Sequence, residues 1–133
     1  MLTYLVIAVG GALGTLGRFF LNGVVSNLMG PLFPWGTFVI NVTGSFAISF
    51  FFTLTEPAEG RLLAGANARQ FFMTGICGGY TTFSSFSLQS LNLARDGEWM
   101  RAGGNVVGSV TFGLVAAWLG YVAASWINHR KGL

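Results

Sequence analysis

The stretch Gly75-Ile-Cys-Gly-Gly-Tyr-Thr-Thr-Phe-Ser-Ser-Phe-Ser87 joins a pair of adjacent glycines to a dense run of hydroxyl and aromatic side chains. Adjacent glycines are poor helix formers. Thr81 or Thr82 is a good N-cap residue, so that a new helix is expected to begin at Phe83. The stretch therefore predicts a helix that breaks near residues 78–82 and then restarts.

The predicted break lies inside a run that carries no formal charge, residues 70–94. A helix that crosses a membrane needs about 20 predominantly apolar residues. A broken helix at membrane depth is tolerated only where its backbone is buried in protein or lines a water-filled cavity. The run is therefore expected to be a membrane span whose break is enclosed by other helices or faces a cavity.

The composition of the whole chain agrees with a membrane protein. Only 7 Lys+Arg and 4 Asp+Glu occur in 133 residues, which is 8%, against about 25% in an average soluble domain. A soluble monomer needs more polar surface than this, and 13 Phe and 4 Trp exclude a disordered chain. One Cys and one His exclude an intrachain disulfide and a histidine metal cluster. The basic pI of about 9.6 rests on a net charge of +3, so no nucleic acid partner is expected.

Four uncharged runs divide the chain. The run 19–55 is too long for one span, and it contains Gly30-Pro31-Leu32-Phe33-Pro34, which indicates a turn. The N-terminus has neither a basic region nor a small-residue cleavage site, which disfavours a signal peptide. The sequence thus predicts an all-α membrane protein with one domain, residues 1–133, and four transmembrane helices. The expected spans are approximately 3–27, 35–55, 69–94 and 100–127.

The 20 glycines predict a tightly packed bundle. Small residues three or four positions apart let helix backbones approach closely in lipid. Such spacings occur in the first, third and fourth predicted spans, at Gly10, Gly14 and Gly17, at Gly75 and Gly79, and at Gly104 and Gly108.

Polar residues within the predicted spans are the candidates for function, because they are costly in a membrane. Apart from Arg69 and Arg101 at the very beginnings of their spans, Arg18 is the only charged residue inside a span; it either raises the local anion concentration at a vestibule or has a structural role at the end of the span. Two further groups recur at helical spacing, and they either bond between helices or line a pathway. These groups are Thr37, Asn41 and Ser45, and the pair Asn105 and Ser109.

No Asp or Glu lies inside any predicted span. Proton relays and cation pathways in membranes are usually built with carboxylates. Hydroxyl, amide and guanidinium groups can all donate hydrogen bonds, and a pathway lined by donors suits an anion. Phe83 and Phe86 face the same way after the break; they are either ordinary core residues or present their positive ring edges to an anion.

The loop charges set the expected orientation through the excess of Lys and Arg on the cytoplasmic side. With four spans, one side carries four basic residues and the other carries two. This weak bias permits insertion in both orientations, and hence an antiparallel homodimer; the alternative is one fixed orientation with a cytoplasmic N-terminus. The four are Arg61, Arg69, Arg130 and Lys131, and the two are Arg95 and Arg101.

Three segments of the sequence resemble the small fluoride channel family (Fluc, also called CrcB). They are Gly11-Ala-Leu-Gly-Thr-Leu-Gly-Arg18, Trp35-Gly-Thr-Phe-Val-Ile-Asn41 and the stretch 75–87. The resemblance implies a dual-topology, antiparallel homodimer with two fluoride pores in the plasma (inner) membrane. It further implies passive export of cytoplasmic fluoride, with no enzymatic step and with fluoride, the lipid bilayer and a second copy of the chain as partners.

The resemblance also implies roles for individual residues. Phe83 and Phe86 would line the pore by their ring edges, and Asn41 would donate a hydrogen bond to the ion. A structural Na⁺ at the dimer interface would be held by the backbone carbonyls of Gly78 and Thr81. The other residues implied along the fluoride pathway are Ser109, Thr37 and Ser84, with Ser87 as a further candidate.

The chain departs from the family pattern at two places in the fourth span. Asn105 stands where some members have Tyr, and Gly113 stands where some have Ser. Two other functions compete with a fluoride channel. A small four-helix carrier would need a membrane-embedded Glu, and a non-transporting membrane bundle would explain the glycines but not the broken helix.

Overall fold

The computed structural model describes residues 1–130, and every regular element in this range is helical. The all-α prediction is therefore confirmed. Lys131, which entered the comparison of loop charges, lies outside the described residues. The elements are α1 (Leu2–Met29), α2 (Trp35–Leu54), α3 (Ala66–Gln70), a π-helical segment (Phe71–Cys77), α4 (Gly78–Tyr80), α5 (Phe83–Arg95) and α6 (Trp99–His129).

Within residues 1–130, three helices, α1, α2 and α6, are long and apolar enough to cross a membrane. They contain 28, 20 and 31 residues. At a rise of 1.5 Å per residue, α1 and α6 extend about 42 Å and about 46 Å, more than the apolar core thickness of about 30 Å. Both helices therefore begin and end slightly outside the predicted spans 3–27 and 100–127, whereas α2 lies within one residue of the predicted 35–55.

The third predicted span is interrupted. Residues 66–80 are continuously helical, Thr81 and Thr82 are extended, and α5 begins at Phe83. The interruption lies within the predicted interval 78–82 but is narrower, because Gly78 and Gly79 are helical. Their low helix propensity is overridden by packing: a Cβ on Gly79 would lie 2.5 Å from the Gly11 carbonyl oxygen of α1. Here glycine serves a close helix crossing rather than the break.

Glycines bring α1 against the π-helical segment and α2 against α6, the most extensive helix contact. A Cβ on Gly10 would lie 2.5 Å from the Phe71 carbonyl oxygen and 3.0 Å from Gly75 Cα. In contrast, a Cβ on Gly104 would meet no atom within 4 Å in the described chain. The spacing thus marks an internal contact in α1. In α6 it is divided, because a Cβ on Gly108 would lie 3.6 Å from the Phe38 ring while Gly104 faces a surface that residues 1–130 leave open.

We expect Gly10→Ala to destabilise the bundle by about 1–3 kcal/mol, the usual cost of overpacking. The matched control is Gly23→Ala in the same helix, where a Cβ meets no atom within 4 Å and alanine favours the helix by about 0.5–1 kcal/mol. Thermal unfolding of the detergent-solubilised protein measures both. Equal melting temperatures for the two variants would contradict the close crossing.

The outer surfaces of α1 and α6 are apolar. Phe19 of α1 is 80% exposed and Trp118 of α6 is 61% exposed. Aromatic and aliphatic side chains exposed in this number are rare on soluble monomers and mark contact with lipid or with another protein. The long helices therefore present a surface that suits a bilayer.

Candidate functional site

The side chain of Asn41, in α2, holds the backbone of the break. Its Nδ2 donates to the Thr82 carbonyl oxygen at 3.0 Å, and its Oδ1 accepts from the Thr82 backbone N–H at 2.7 Å. Thr82 is buried, so that these backbone groups need partners other than water. Asn41 therefore replaces the helix hydrogen bond that the Thr82 N–H cannot make and adds a second donor to the Thr82 carbonyl, a role that its spacing in the sequence did not indicate.

Thr82 is the N-cap of α5. Its Oγ1 accepts a hydrogen bond from the Ser85 backbone N–H at 3.2 Å and donates to Ser85 Oγ at 3.1 Å. Thr81 instead donates its hydroxyl to the Cys77 carbonyl oxygen at 2.9 Å, at the end of α4. Of the two residues predicted as possible caps, the structure thus selects Thr82.

The hydrogen bonds that Asn41 and Thr82 make at the break leave two backbone carbonyl groups without their helical donors. The Thr82 N–H, which would bond to the Gly78 carbonyl in a continuous helix, bonds to Asn41. The Ser85 N–H, which would bond to the Thr81 carbonyl, bonds to Thr82 Oγ1. Gly78 and Thr81 are the two residues for which the resemblance implied cation-binding carbonyls.

A cleft of about 300 Å³ opens beside the break, and we call it the break cleft. It brings together four residues of the implied fluoride pathway: Asn41, Phe83, Phe86 and Ser109. The cleft is lined by Asn41, Gly44, Ser45, Ile48, Cys77, Gly78, Thr81, Thr82, Phe83, Phe86, Ser109 and Val110.

The phenylalanine pair differs in exposure. The Phe83 and Phe86 ring centroids lie 5.5 Å apart with an interplanar angle of 49°. Phe86 is 9% exposed, whereas Phe83 is 78% exposed in the single chain. The pair therefore runs from the packed interior of the chain to its surface.

A second cleft of about 260 Å³ lies on the other side of Thr82, and we call it the Arg18 cleft. Arg18 is half-buried there, and within residues 1–130 its guanidinium makes no hydrogen bond or ion pair. The cleft is lined by Thr15, Arg18, Phe19, Asn22, Thr37, Ile40, Thr82, Ser85 and Gln89.

The remaining implied residues lie apart from the break cleft. Thr37, although on the same helix face as Asn41, lines the Arg18 cleft. Ser84 is exposed, lines neither cleft and lies 3.4 Å from Thr82 Oγ1. Ser87 donates its hydroxyl to the Phe83 carbonyl oxygen at 2.9 Å. The predicted polar stripe of α2 is thus divided between two clefts.

A polar bridge joins α5 to α6 beside the break cleft, which Ser109 lines. Asn105, which is 0% exposed, donates from Nδ2 to Ser90 Oγ at 2.9 Å. Its Oδ1 accepts from the Ser109 hydroxyl at 3.3 Å. The sequence pattern indicated the pair Asn105 and Ser109 but not Ser90, because nothing in the spacing shows which face of α5 meets α6.

The two clefts are electrostatically suited to an anion. Neither lining set includes Asp or Glu, and Arg18 is the only residue in them with a formal charge. Within the described part of the chain, no group of three or more His, Cys, Asp or Glu side chains is placed to hold a metal ion. The chemistry on offer is hydrogen-bond donation from amides, hydroxyls and one guanidinium.

Long apolar helices around an interrupted helix, with polar clefts at the interruption, define a multi-pass helical membrane protein. The model of the family described as "CrcB-like protein, Camphor Resistance (CrcB)" matches residues 5–121. The chain belongs to this family.

The similar proteins include three named as fluoride-specific ion channel FluC. That of Opitutus terrae is 64% identical over 132 residues, which cover 99% of both chains. That of Methylocella silvestris is 58% identical and covers 97% of this chain and 98% of its own. That of Rhodospirillum rubrum is 54% identical, and the match covers 96% of this chain and 98% of that protein.

Proposed function

We propose that this protein is a fluoride-selective ion channel of the plasma membrane that exports cytoplasmic fluoride passively and so relieves its toxicity. The observation that carries the proposal is the identity of up to 64% with fluoride-specific ion channels over nearly the whole chain. The break cleft supports it, because the cleft gathers Asn41, Phe83 and Phe86 with no acidic residue in its lining.

The proposed ion pathway follows the break cleft. Fluoride is small and strongly hydrated, so it enters only where other donors replace its water. The positive ring edges of Phe83 and Phe86 provide one set of contacts. Asn41 has a second Nδ2–H beyond the one given to Thr82, and this second N–H is available to the ion. Ser109 borders the same path, and Ser84 lies where α5 meets the surface.

The Arg18 cleft is proposed as the vestibule. The guanidinium of Arg18, which makes no hydrogen bond or ion pair within residues 1–130, raises the local concentration of anions by its field. The Thr37 hydroxyl of the same cleft is a donor for an arriving ion. Export is driven by the fluoride gradient that forms when neutral HF enters a cell and dissociates inside. No covalent bond is made or broken in such transport.

The assembly is proposed to be an antiparallel homodimer in which residues 66–95 form a fourth, interrupted span. Three observations support this arrangement: the family resemblance, the weak bias of the loop charges and the large exposed fraction of Phe83. A ring edge that contacts an ion in a narrow path needs to be enclosed, and a second copy of the chain would enclose it.

A structural Na⁺ at the dimer interface is proposed to be held by the Gly78 and Thr81 carbonyls. Hard cations prefer oxygen ligands, and unwound backbone carbonyls hold Na⁺ in other membrane proteins. The two groups fit this role because the break removes their helical donors. Bound Na⁺ would supply a fixed positive charge that joins the two subunits.

Replacing Na⁺ with a large organic cation such as N-methylglucamine is therefore expected to weaken the dimer and slow fluoride flux. Mass action predicts the stabilisation by Na⁺ to grow by about 1.4 kcal/mol for each tenfold increase above its Kd. The dimer fraction in detergent, measured across a sodium titration, tests this. An equal dimer fraction and an equal flux in sodium-free buffer would refute the sodium site.

The proposed function is tested in a bacterial strain that lacks its own fluoride exporter. Expression of the chain should restore growth in millimolar-range fluoride at mildly acidic pH, where HF enters most readily. Growth no better than that of cells with an empty vector, despite normal membrane levels of the protein, would contradict the proposal.

A further inference from the structure

The polar bridge between α5 and α6 has a defined hydrogen-bond direction. Ser90 has one hydroxyl proton, and it donates this proton to the Phe86 carbonyl oxygen at 2.8 Å. Ser90 Oγ can therefore only accept from Asn105, which meets it with Nδ2 at 2.9 Å. The Ser90 hydroxyl thus fixes which end of the Asn105 amide faces α5.

The same orientation of the Asn105 amide determines which atom accepts the Ser109 hydroxyl proton. With Nδ2 facing Ser90, the Asn105 Oδ1 faces Ser109 and accepts its proton at 3.3 Å. A flipped amide would set Oδ1 against a Ser90 oxygen whose proton is already given away, and this would leave buried polar groups unpaired. Asn105 is fully buried, so no water can relieve that arrangement.

We propose that Asn105 is a positioning residue that takes up the Ser109 proton, so that Ser109 presents an oxygen lone pair instead of a donor to the break cleft. A hydroxyl has only one proton. An anion beside Phe86 is then held by the ring edges and by Asn41, with one donor fewer than the lining residues suggest. Asn105 thereby tunes how strongly this chain holds the ion.

The experiment compares Ser109→Ala in the native chain and in Asn105→Leu, which has a similar volume and no acceptor. The flux comparison rests on the proposed function. Removing the Asn105 acceptor frees the Ser109 proton to be donated into the cleft. The net contribution of one hydrogen bond corresponds to a factor of roughly 2 to 12 in an equilibrium constant. We expect Ser109→Ala to reduce fluoride flux by a factor about fivefold larger in the Asn105→Leu background. An equal factor in both backgrounds overturns the proposal.

Ser90→Ala provides the same comparison if Asn105→Leu does not fold. It removes the group that orients the amide, and Ser90 does not line the break cleft. The Asn105 amide is then free to turn its Nδ2 toward Ser109, which again releases the Ser109 proton. A Ser109→Ala effect that is independent of Ser90 speaks against the bridge.

An infrared measurement separates this proposal from the proposed function, because it needs no transport. Ser109→Cys is made in a Cys77→Ala background, so that the chain holds one thiol. The S–H stretch of Cys at position 109 should lie at lower frequency with Asn105 present than with Asn105→Leu, since a donated hydrogen bond weakens the S–H bond. The same frequency in both backgrounds refutes the proton assignment, whatever the flux.

Discussion

Asn41→Asp is expected to reduce fluoride flux by at least roughly 100-fold. A unit charge about 4 Å from a passing anion costs about 4 kcal/mol at an effective dielectric constant of about 20. The substituted carboxylate keeps an acceptor for the Thr82 N–H, which Asn41 Oδ1 now binds at 2.7 Å. The variant therefore puts a charge that repels fluoride in the path, while it keeps the hydrogen bond from the Thr82 N–H to the side chain at position 41. Flux from proteoliposomes, measured with a fluoride electrode, tests the prediction.

Asn41→Leu is the matched control, since it has a similar volume and no charge. It leaves the buried Thr82 N–H without the acceptor that Asn41 provides, which costs about 1–3 kcal/mol, and it removes the second donor to the Thr82 carbonyl, which as the N-cap carbonyl still accepts the first hydrogen bond of α5. We therefore expect Asn41→Leu to lower the melting temperature more than Asn41→Asp does, and Asn41→Asp to lower the flux more. The same ranking in both measurements would contradict the double role of Asn41.

Phe86→Ile is expected to reduce flux by roughly 30-fold. This takes the contact between the anion and the positive ring edge to be worth about 2 kcal/mol, as much as a desolvated contact between a cation and a ring face. Isoleucine fills most of the space but has no positive ring edge. Phe83→Ile should act in the same direction, because the two rings line one cleft with their centroids 5.5 Å apart.

The control for both variants is Phe20→Ile on α1. Phe20 is 72% exposed and lines neither cleft, so its replacement should preserve flux. Size-exclusion chromatography checks that the assembly of each variant is intact. Native flux in both Phe83→Ile and Phe86→Ile would eliminate the ring-edge pathway.

The helices could be predicted from the sequence because charge is confined to their ends. Arg18 is the exception within α1, and the turn 30–34 separates α1 from α2. The break at Thr81 and Thr82 was predictable in position because a threonine before Phe83 caps a helix. The short length of the break could not be predicted, because Gly79 stays helical where it packs against Gly11 of α1, a contact that local helix propensity does not contain.

The π-helical segment at Phe71–Cys77 had no signal in the sequence. A π turn changes which carbonyl each N–H meets, and the apolar side chains of this segment do not specify that choice. Its Gly75 packs against Gly10 of α1, where the third predicted span meets α1.

The polar residues of the candidate site could be picked out from the sequence, but the contacts between them could not. Asn41 was singled out from its position among apolar residues, yet its partner Thr82 lies 41 positions away. The bridge from Asn105 to Ser90 likewise depends on how α5 is rotated against α6. The sequence shows which side chains can donate or accept hydrogen bonds. Only the fold shows which of those groups are already paired and which remain available to an ion.

The most direct test of the account is ion-selective efflux from liposomes that contain the purified protein and are loaded with equal concentrations of fluoride and chloride. With a potassium ionophore to carry the balancing charge, a fluoride electrode should record rapid efflux while a chloride electrode records retention. Equal efflux of the two ions, or retention of both, would contradict a fluoride-selective channel.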